Sequence, residues 1–206
     1  MNDGVGARAA RPHLGWHDRG YIPHLDAGAM VQTITFRLAD SLPRAYYEKA
    51  AVITPNNIER AILFEKGIDQ GCGNCLLSEP RYAEIVRDTL HRSDGERYRL
   101  LAWVIMPNHV HAMIEQIYGH SLSTIIQSWK SYSAHTINKI NESQRQVWSP
   151  DYFDRYIRND AHYANAKFYI ETNPVKARLV VKPEDWPYSS ASTQVGQCGR
   201  PARAPT

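Results

Sequence analysis

The sequence predicts an α+β domain in which helices pack on an antiparallel sheet, with a ferredoxin-like or RRM-like topology. Stretches of alternating or continuous apolar residues, typical of strands, are interleaved with stretches whose apolar residues recur every three or four positions, as in helices. Their order is strand, helix, helix, strand, strand, helix, strand, helix. The length of 206 residues suits one domain, and 43% hydrophobic and 22% charged residues are typical of a globular protein.

The first half of the chain contains one predicted strand and two predicted helices. The strand covers 30–38, where β-branched residues alternate with others. A threonine and a proline open the first helix, predicted over 54–66, because threonine suits the N-cap and proline the first helical position. A Ser-Glu-Pro sequence opens the second helix, predicted over 78–91 with apolar residues at helical spacing.

The second half begins with a predicted β-hairpin. A near-continuous apolar run at 98–106 indicates a buried strand, and Pro107-Asn108 indicates a turn. The alternation at 110–114 indicates the strand that follows the turn. The apolar residues of 122–140 recur at three and four positions, which predicts an amphipathic helix.

The last predicted elements are a strand at 151–157 and a helix. Asp160 is the predicted N-cap of this helix, which starts at 161 and continues to about Thr172. Asn173-Pro174 is expected to end the helix, because the residue before a proline disfavours helical geometry.

Both ends of the chain are polar and rich in small residues, so we expect flexible segments at 1–20 and 192–206 around one domain at 21–191. No apolar run approaches the ~18 residues that a membrane span needs, and no apolar stretch follows the basic residues near the N-terminus, as it would in a secretory signal. We therefore predict a cytoplasmic protein without a membrane partner. The net charge of +3 is compatible with a nucleic-acid partner but does not require one.

The chain has three cysteines, Cys72, Cys75 and Cys198, and an odd number argues against a disulfide framework. Cys72 and Cys75 have the spacing of half a zinc site, but a closed structural site needs four ligands and no second pair follows. We interpret the pair as part of a tight turn, with zinc or redox use as the alternative.

The strongest local signal for chemistry is a histidine pair directly after the predicted turn. Residues i and i+2 of a strand share a face, so His109 and His111 project together while Val110 faces the core. Two imidazoles aimed at one point suit a divalent transition metal. The chain has nine histidines, and two exposed histidines at a strand edge would give the same motif, so the pair alone leaves the choice open.

A second signal is the pair Tyr169 and Asn173, which are four residues apart and face the same way on the predicted last helix. A phenol can act as a nucleophile and form a covalent intermediate, and an amide oxygen one turn later can complete a metal site. On spacing alone, a tyrosine that packs the helix on the sheet and an asparagine that caps the helix explain the pair better.

Cations and aromatic rings are interleaved in the same part of the chain. Such a mixture suits a single nucleic-acid strand, whose phosphates contact the cations and whose bases stack on the rings. The alternative is an ordinary solvated helix face. We take the following as candidate DNA-binding residues: Arg155, Arg158, Lys176 and Arg178.

Taken together, these segments resemble the REP-associated tyrosine transposases, a branch of the HUH single-tyrosine transposases. His109-Val110-His111 resembles the HUH motif, in which two histidines flank a large apolar residue. The resemblance covers roughly 19–191 and involves several ordered motifs, which makes it more specific than any one of them. The other motifs include Tyr156-Ile157-Arg158-Asn159, Tyr169-Ile170-x-x-Asn173-Pro174-Val175-Lys176 and Trp186-Pro187-Tyr188-Ser189-Ser190. The approach strand and turn from Trp103 to Asn108 also resemble the family, as do the upstream segments Arg19-Gly20-Tyr21-Ile22-Pro23-His24 and Thr35-Phe36-Arg37-Leu38-Ala39-Asp40-Ser41-Leu42-Pro43.

The resemblance implies an RRM-like fold and a set of roles for the candidate residues. His109 and His111 would bind Mg²⁺ or Mn²⁺, and Asn173 would be the third ligand. Tyr169 would be the nucleophile, in preference to the tyrosines at 152, 156 and 163. The substrate would be single-stranded DNA, often folded as a hairpin from a repetitive extragenic palindrome. Cleavage would leave a 5′-phosphotyrosine link and a free 3′-OH, and the reverse attack would rejoin strands.

Two other functions remain open from the sequence. One is a nucleic-acid-binding protein on an RRM-like sheet without catalysis. The other is a metal hydrolase in which the histidine pair activates water, and such an enzyme would not need Tyr169. The resemblance favours a monomer over a homodimer with exchanged tyrosine helices.

Overall fold

A four-stranded antiparallel sheet with helices packed on it forms the centre of the fold, as the sequence predicted. The structure is a computed structural model, and it describes residues 30–42 and 73–192, the strands at 15–18 and 23–26, and single positions between 46 and 71. The described elements in chain order are β1 (Gly15–Asp18), β2 (Pro23–Asp26), β3 (Val31–Leu38), α1 (Pro80–His91), β4 (Tyr98–Ile105), β5 (His109–Gln116), α2 (Leu122–Ile140), β6 (Trp148–Tyr156) and α3 (Asp160–Lys176).

The strands of the central sheet lie in the order β4-β5-β3-β6, and each is antiparallel to its neighbours. The predicted hairpin is confirmed, because β4 and β5 pair directly with Ile105 opposite Val110. β3 lies between the last two strands, as expected for a ferredoxin-like βαββαβ unit. A separate sheet of β1 and β2 precedes it, and the sequence pattern did not predict these two strands. Within the described ranges, none of the helices is both long and apolar enough to cross a membrane.

Alternation along β5 sends its side chains to opposite faces of the sheet. Val110, Ala112 and Ile114 belong to the buried core under α1 and α2. His109 and His111 lie on the other face, where α3 packs, so the predicted division of this strand is confirmed.

Large aromatic side chains build the core between the sheet and helices α1 and α2. The ring of Phe36 lies 4.8 Å from that of Trp148 and 6.1 Å from that of Trp129, measured between centroids. Tyr98 donates its hydroxyl to Leu90 O and accepts a hydrogen bond of 2.9 Å from Trp129 Nε1, so its polar end is satisfied. Burial of one such side chain is worth about 1.5–3 kcal/mol, and this face therefore gives the sheet a rigid support.

Helix α3 packs on the opposite face, where Ile170 is buried in a cluster with Val104. Its N-cap is Asn159, whose Oδ1 accepts a hydrogen bond of 2.8 Å from His162 N. The prediction of Asp160 as the N-cap was therefore wrong by one residue. Asp160 is the first helical residue instead, where its charge suits the positive end of the helix dipole.

Helix α3 also continues past Pro174, where the sequence predicted its end, and reaches Lys176. A proline removes one backbone donor but keeps its carbonyl, and it lies here in the last turn of the helix. Ala177 N still donates to Asn173 O at 2.9 Å. The greater length of the helix matters for the site, because Tyr169, Asn173 and Lys176 all lie on one continuous helix.

Strand β6 begins at Trp148 rather than at the predicted 151, and it contains Pro150. A proline cannot donate to a sheet ladder and is therefore confined to edge strands or bulges. β6 is an edge strand of the sheet, so the proline is tolerated although it weakened the sequence pattern.

Several of the sequence predictions concern residues outside the described ranges. The helix predicted over 54–66 lies outside the described residues except at 63 and 66, which are helical. Cys72, Cys198 and most of the two terminal segments also lie outside them. Cys75 has a φ of 49° at the start of a short 3-10 turn, and its Sγ contacts Gly71 O at 3.3 Å, as expected for a turn residue.

The segment 186–190 covers the outer edge of β4. Ile105 N donates to Tyr188 O and Ser190 N donates to Trp103 O, both at 2.8 Å. An uncovered edge strand presents unpaired backbone groups to other chains, and these bonds satisfy some of them. One motif that carried the resemblance is thus part of the sheet.

Candidate active site

The turn between β4 and β5 presents the two histidines. Met106 N donates to His109 O at 2.8 Å, which closes the turn formed by Pro107 and Asn108. Leu38 N donates to Asn108 O at 2.9 Å and ties the turn to β3. Both histidines are buried, with 1% and 3% of their surface exposed.

The side chain of Asn108 fixes the tautomer of His109. Asn108 Nδ2 donates to Ile68 O at 3.1 Å, which directs Oδ1 towards His109 Nδ1 at 2.7 Å. An amide oxygen can only accept, so His109 carries its proton on Nδ1 and has a lone pair on Nε2. This is the arrangement in which metal-binding histidines are usually held.

His111 is held by Thr35, which lies directly opposite on β3. Thr35 Oγ1 is 2.7 Å from His111 Nδ1, which leaves Nε2 directed towards the other histidine. The Nε2 atoms of His109 and His111 are 3.0 Å apart, and their rings are inclined by 84°. Two ring nitrogens thus converge on one point, as a metal site requires.

Burial keeps both imidazoles neutral. It lowers the pKa of His109 well below its usual value, with a further contribution from His111. It also lowers the pKa of His111 to about 3, and the positive charge of Lys176 adds to this effect. A neutral imidazole is the form that binds a metal, so the pair is ready for this role at physiological pH.

Among the described residues, no group of three His, Cys, Asp or Glu side chains is placed to hold a metal. Asn173 is the third ligand that the resemblance implied. It lies one turn after Tyr169 on α3 with 2% of its surface exposed, and no hydrogen-bond partner of its Nδ2 is found among the described groups. Turning the amide would put the oxygen in this buried position, and a metal could then satisfy it.

Tyr169 lies beside the histidine pair. Its ring is 5.6 Å from that of His111, measured between centroids, with an angle of 76° between the planes. Lys176, seven residues later on the same face of α3, places its Nζ 4.4 Å from the centroid of the Tyr169 ring. A phenol, two neutral imidazoles and an ammonium group are therefore in one place.

The three rival tyrosines lie at different places. Tyr152 belongs to the core under α1 and α2, on the opposite face of the sheet. Tyr163 packs in the same apolar cluster as Tyr169, six residues earlier on α3. The guanidinium of Arg158 lies 5.2 Å from the centre of the Tyr156 ring.

A pocket of about 220 Å³ adjoins the site and is lined by Thr35, His111 and Tyr169 together with Arg155. Of the four predicted DNA-binding residues, Arg155 lies at this pocket and Lys176 lies over the tyrosine. Arg158 contacts Tyr156 instead, and Arg178 follows the end of α3 with a φ of 58°. Neither Arg158 nor Arg178 lines the pocket.

Sequence reasoning missed the residues that orient the histidines. Thr35 was assigned to a strand and Asn108 to a turn, each within a segment that resembles the family, but neither was given a role at the site. The i and i+2 spacing revealed the histidines, but the partner of His111 depends on the register between β3 and β5. The only available signal was the adjacency of Asn108 to His109.

The resemblance found in the sequence is confirmed by comparison with known proteins. Residues 77–173, which contain the histidine pair and Tyr169, match the family model described as transposase IS200 like. A REP-associated tyrosine transposase of Escherichia coli (strain K12) is 29% identical over 101 residues, which are 48% of this chain and 58% of that protein. A putative REP-associated tyrosine transposase of Haemophilus influenzae is 29% identical over 103 residues, 45% of this chain and 58% of that protein.

A solved structure supports the fold. It is described as a REP-associated tyrosine transposase bound to a REP hairpin, and it matches 86% of each chain with a TM-score of 0.58 at 20% identity. At this identity the likeness concerns the fold, and it confirms the predicted α+β arrangement of an antiparallel sheet with packed helices.

Proposed function

We propose, from the premise that residues 77–173 match the IS200-like transposase family, that this protein cleaves and rejoins single-stranded DNA through a tyrosine nucleophile. One observation carries the proposal: the Tyr169 ring lies 5.6 Å from that of His111, whose Nε2 faces that of His109 at 3.0 Å. Neither alternative function requires a tyrosine at this place.

The substrate we propose is a DNA hairpin from a repetitive extragenic palindrome. The similar solved structure is described as bound to such a hairpin, and both curated relatives are named REP-associated. The chain spans 58% of the length of each curated relative in these matches, so the complete reaction is part of the proposal. We expect the protein to act as a cytoplasmic monomer.

His109, His111 and Asn173 would hold the metal, Mg²⁺ or Mn²⁺. Bound there, the ion would polarise the scissile phosphate as a Lewis acid. Support comes from the neutral state of both imidazoles and from the buried Asn173 amide described above.

Tyr169 would perform the covalent step. Its phenolic oxygen forms a bond to phosphorus while the bond from phosphorus to the 3′-oxygen breaks. The phenolic proton is released to solvent, and the departing oxygen takes up a proton to become a 3′-OH. The phosphotyrosine link keeps the phosphoester, so a 3′-OH can attack it and rejoin a strand without ATP. Arg155 lines the pocket and Lys176 lies over the Tyr169 ring, and both would contact phosphate oxygens of the bound strand.

The proposal is tested with a hairpin oligonucleotide labelled on the strand 3′ of the expected cleavage site. The protein is incubated with it in Mn²⁺ and in EDTA, and the products are separated on a denaturing protein gel. We expect a label that migrates with the protein only in Mn²⁺, and that is lost in Tyr169→Phe. Tyr163→Phe, a change of the same kind on the same helix, is the control and should keep the adduct.

The other outcomes identify the alternatives. Metal-dependent cutting without an adduct, unchanged in Tyr169→Phe, would indicate a hydrolase that activates water. Hairpin binding with neither adduct nor cutting would indicate a non-catalytic nucleic-acid-binding protein.

A further inference from the structure

The pocket beside Tyr169 extends beyond the catalytic groups. The buried side chains of Thr35 and His111 line its inner part, whereas Arg155 and Asn165 are exposed at its mouth. No residue lining this pocket in the described part of the chain carries a carboxylate. The pocket is therefore open to a polyanionic strand, and its outer part holds polar side chains that the proposed cleavage does not use.

Two of these polar side chains belong to the same helix as the nucleophile. Asn165 precedes Tyr169 by four residues and His162 precedes it by seven, so all three share one face of α3. The side-chain cap of Asn159 on His162 N fixes the start of the helix. A group bound by Asn165 and His162 would therefore be held one to two helical turns from the phenol, or ~6–11 Å along the axis.

The hydrogen-bonding character of His162 is set by the backbone. Arg158 N donates to His162 Nδ1 at 3.3 Å, so Nδ1 has no proton and Nε2 carries one. The ring thus offers an N–H donor. The amide of Asn165 offers a donor and an acceptor, and the two residues together provide the groups needed to read the edge of a base.

The strand side of the pocket supplies a cation. Arg155 on β6 lies opposite Thr33 on β3, and Thr33 Oγ1 donates to Arg155 O at 3.3 Å. This bond fixes the backbone from which the exposed guanidinium extends. A guanidinium of this kind matches a phosphate oxygen pair, and phosphate contacts position a strand without reading its sequence.

We propose that the outer part of this pocket is a subsite for the nucleotide that adjoins the scissile phosphate. Asn165 and His162 select its base by hydrogen bonds to the base edge, and Arg155 contacts its phosphate. The proposal rests on the proposed DNA cleavage and adds the residues that choose where the strand is cut.

The first experiment measures cleavage with a set of oligonucleotides in which the base on each side of the scissile phosphate is changed to all four possibilities. We expect the wild-type protein to prefer one base on one side by roughly ten-fold or more in kcat/KM. Asn165→Ala should reduce this preference to about two-fold or less, mainly by slowing the preferred substrate. Gln127→Ala, which removes an exposed amide from α2, is the control and should keep the preference.

A second variant tests the direction of the effect. Asn165→Asp keeps the size of the side chain but leaves only acceptor atoms, so the preference should move away from thymine, which has no amino group, towards the bases that present an amino donor. Arg155→Gln should instead weaken binding of all oligonucleotides alike and reduce the dependence of binding on salt. An unchanged base preference in both Asn165→Ala and His162→Ala would overturn the subsite.

Binding measurements separate this proposal from the proposed function. The same oligonucleotides are titrated in Ca²⁺ with a fluorescent label, and the base preference is measured as a ratio of affinities. A wild-type protein that forms no adduct would contradict the proposed cleavage, yet its binding preference would still support or overturn the subsite. A wild-type protein that forms the adduct without any base preference, in cleavage or in binding, would overturn the subsite alone.

Discussion

Each imidazole of the pair is hydrogen-bonded to a different neighbour, and the two neighbours differ in the tautomers that they permit. Asn108 Oδ1 only accepts, so His109 keeps one tautomer whether or not a metal is present. The hydroxyl of Thr35 can donate or accept, so His111 can move its proton from Nε2 to Nδ1 and still keep this hydrogen bond. A shift of this one proton would therefore turn the hydrogen bond between the two Nε2 atoms into the proposed pair of metal ligands.

Thr35→Val is therefore expected to weaken metal binding by about 10–100-fold, because the ring of His111 loses the group that orients it. Titration calorimetry with Mn²⁺ measures the effect. Thr35→Ser keeps the hydroxyl and should restore most of the affinity. An undiminished affinity in the valine variant would show that the hydroxyl does not matter.

The histidines also predict how the metal-free protein responds to acid. Burial lowers the pKa of His109 well below its usual value, and burial with the charge of Lys176 lowers the pKa of His111 to about 3. Below pH ~6.5 these histidines are protonated in the unfolded chain but stay neutral in the native state. The stability that they contribute is therefore present above this pH and is lost as the pH falls.

At pH 5 the expected loss of unfolding free energy is about 2 kcal/mol for His111 alone. Urea unfolding at pH 7.5 and pH 5 measures it. His111→Gln should remove about this much of the pH dependence. His135→Gln, at an exposed position on α2, should leave it unchanged, and a full pH dependence in His111→Gln would contradict the argument.

The elements differ in how far the sequence determined them. α2 has the predicted bounds, because its apolar residues keep a regular helical spacing over all nineteen residues. α3 differs at both ends, since Asn159 and Asp160 are both good caps and since Pro174 is tolerated in a last turn. In β6 a single proline hid three strand residues, Trp148 to Pro150, that tertiary pairing restores. Local rules fail where a neighbouring element supplies the missing interaction.

The course of α3 through Pro174 predicts a role for Lys176 that a helix ending at 172 would not provide. Its ammonium lies 4.4 Å from the centre of the Tyr169 ring, beside the proposed phosphate position. Lys176→Met keeps most of the length but removes the charge, and it should slow adduct formation by about 10-fold in single-turnover assays. Arg178→Met is the matched control just beyond the helix, and a similar loss in both variants would indicate only general attraction of DNA.

At the scale of the whole molecule, the described sheet order and the two helical layers follow from the pattern of elements, but the contacts between distant segments do not. The hydrogen bond from Asn108 to Ile68 O joins residues forty positions apart, and no spacing in the sequence could reveal it. The same is true of Ser190, which accepts from Trp103 N at 3.1 Å and donates to Glu171 on α3 at 3.0 Å. These long-range contacts connect the tyrosine helix to the sheet that carries the histidines.

Ser190→Ala is therefore expected to lower the free energy of unfolding by about 1–3 kcal/mol, because it leaves Trp103 N and Glu171 without this partner. Urea unfolding measures the effect. Ser131→Ala, at an exposed position on α2, is the control and should change stability by less than about 0.5 kcal/mol. A loss in Ser190→Ala no larger than in the control would show that the segment 186–190 is held by its backbone alone.

The covered edge of β4 has a consequence for assembly. Two copies of a protein can join their sheets into one continuous sheet only where both offer a free edge strand. On one side of this sheet the chain occupies the edge with its own segment 186–190. On the other side, Pro150 in β6 lacks the donor that a partner strand would need. We therefore expect sedimentation at increasing concentration to find single chains.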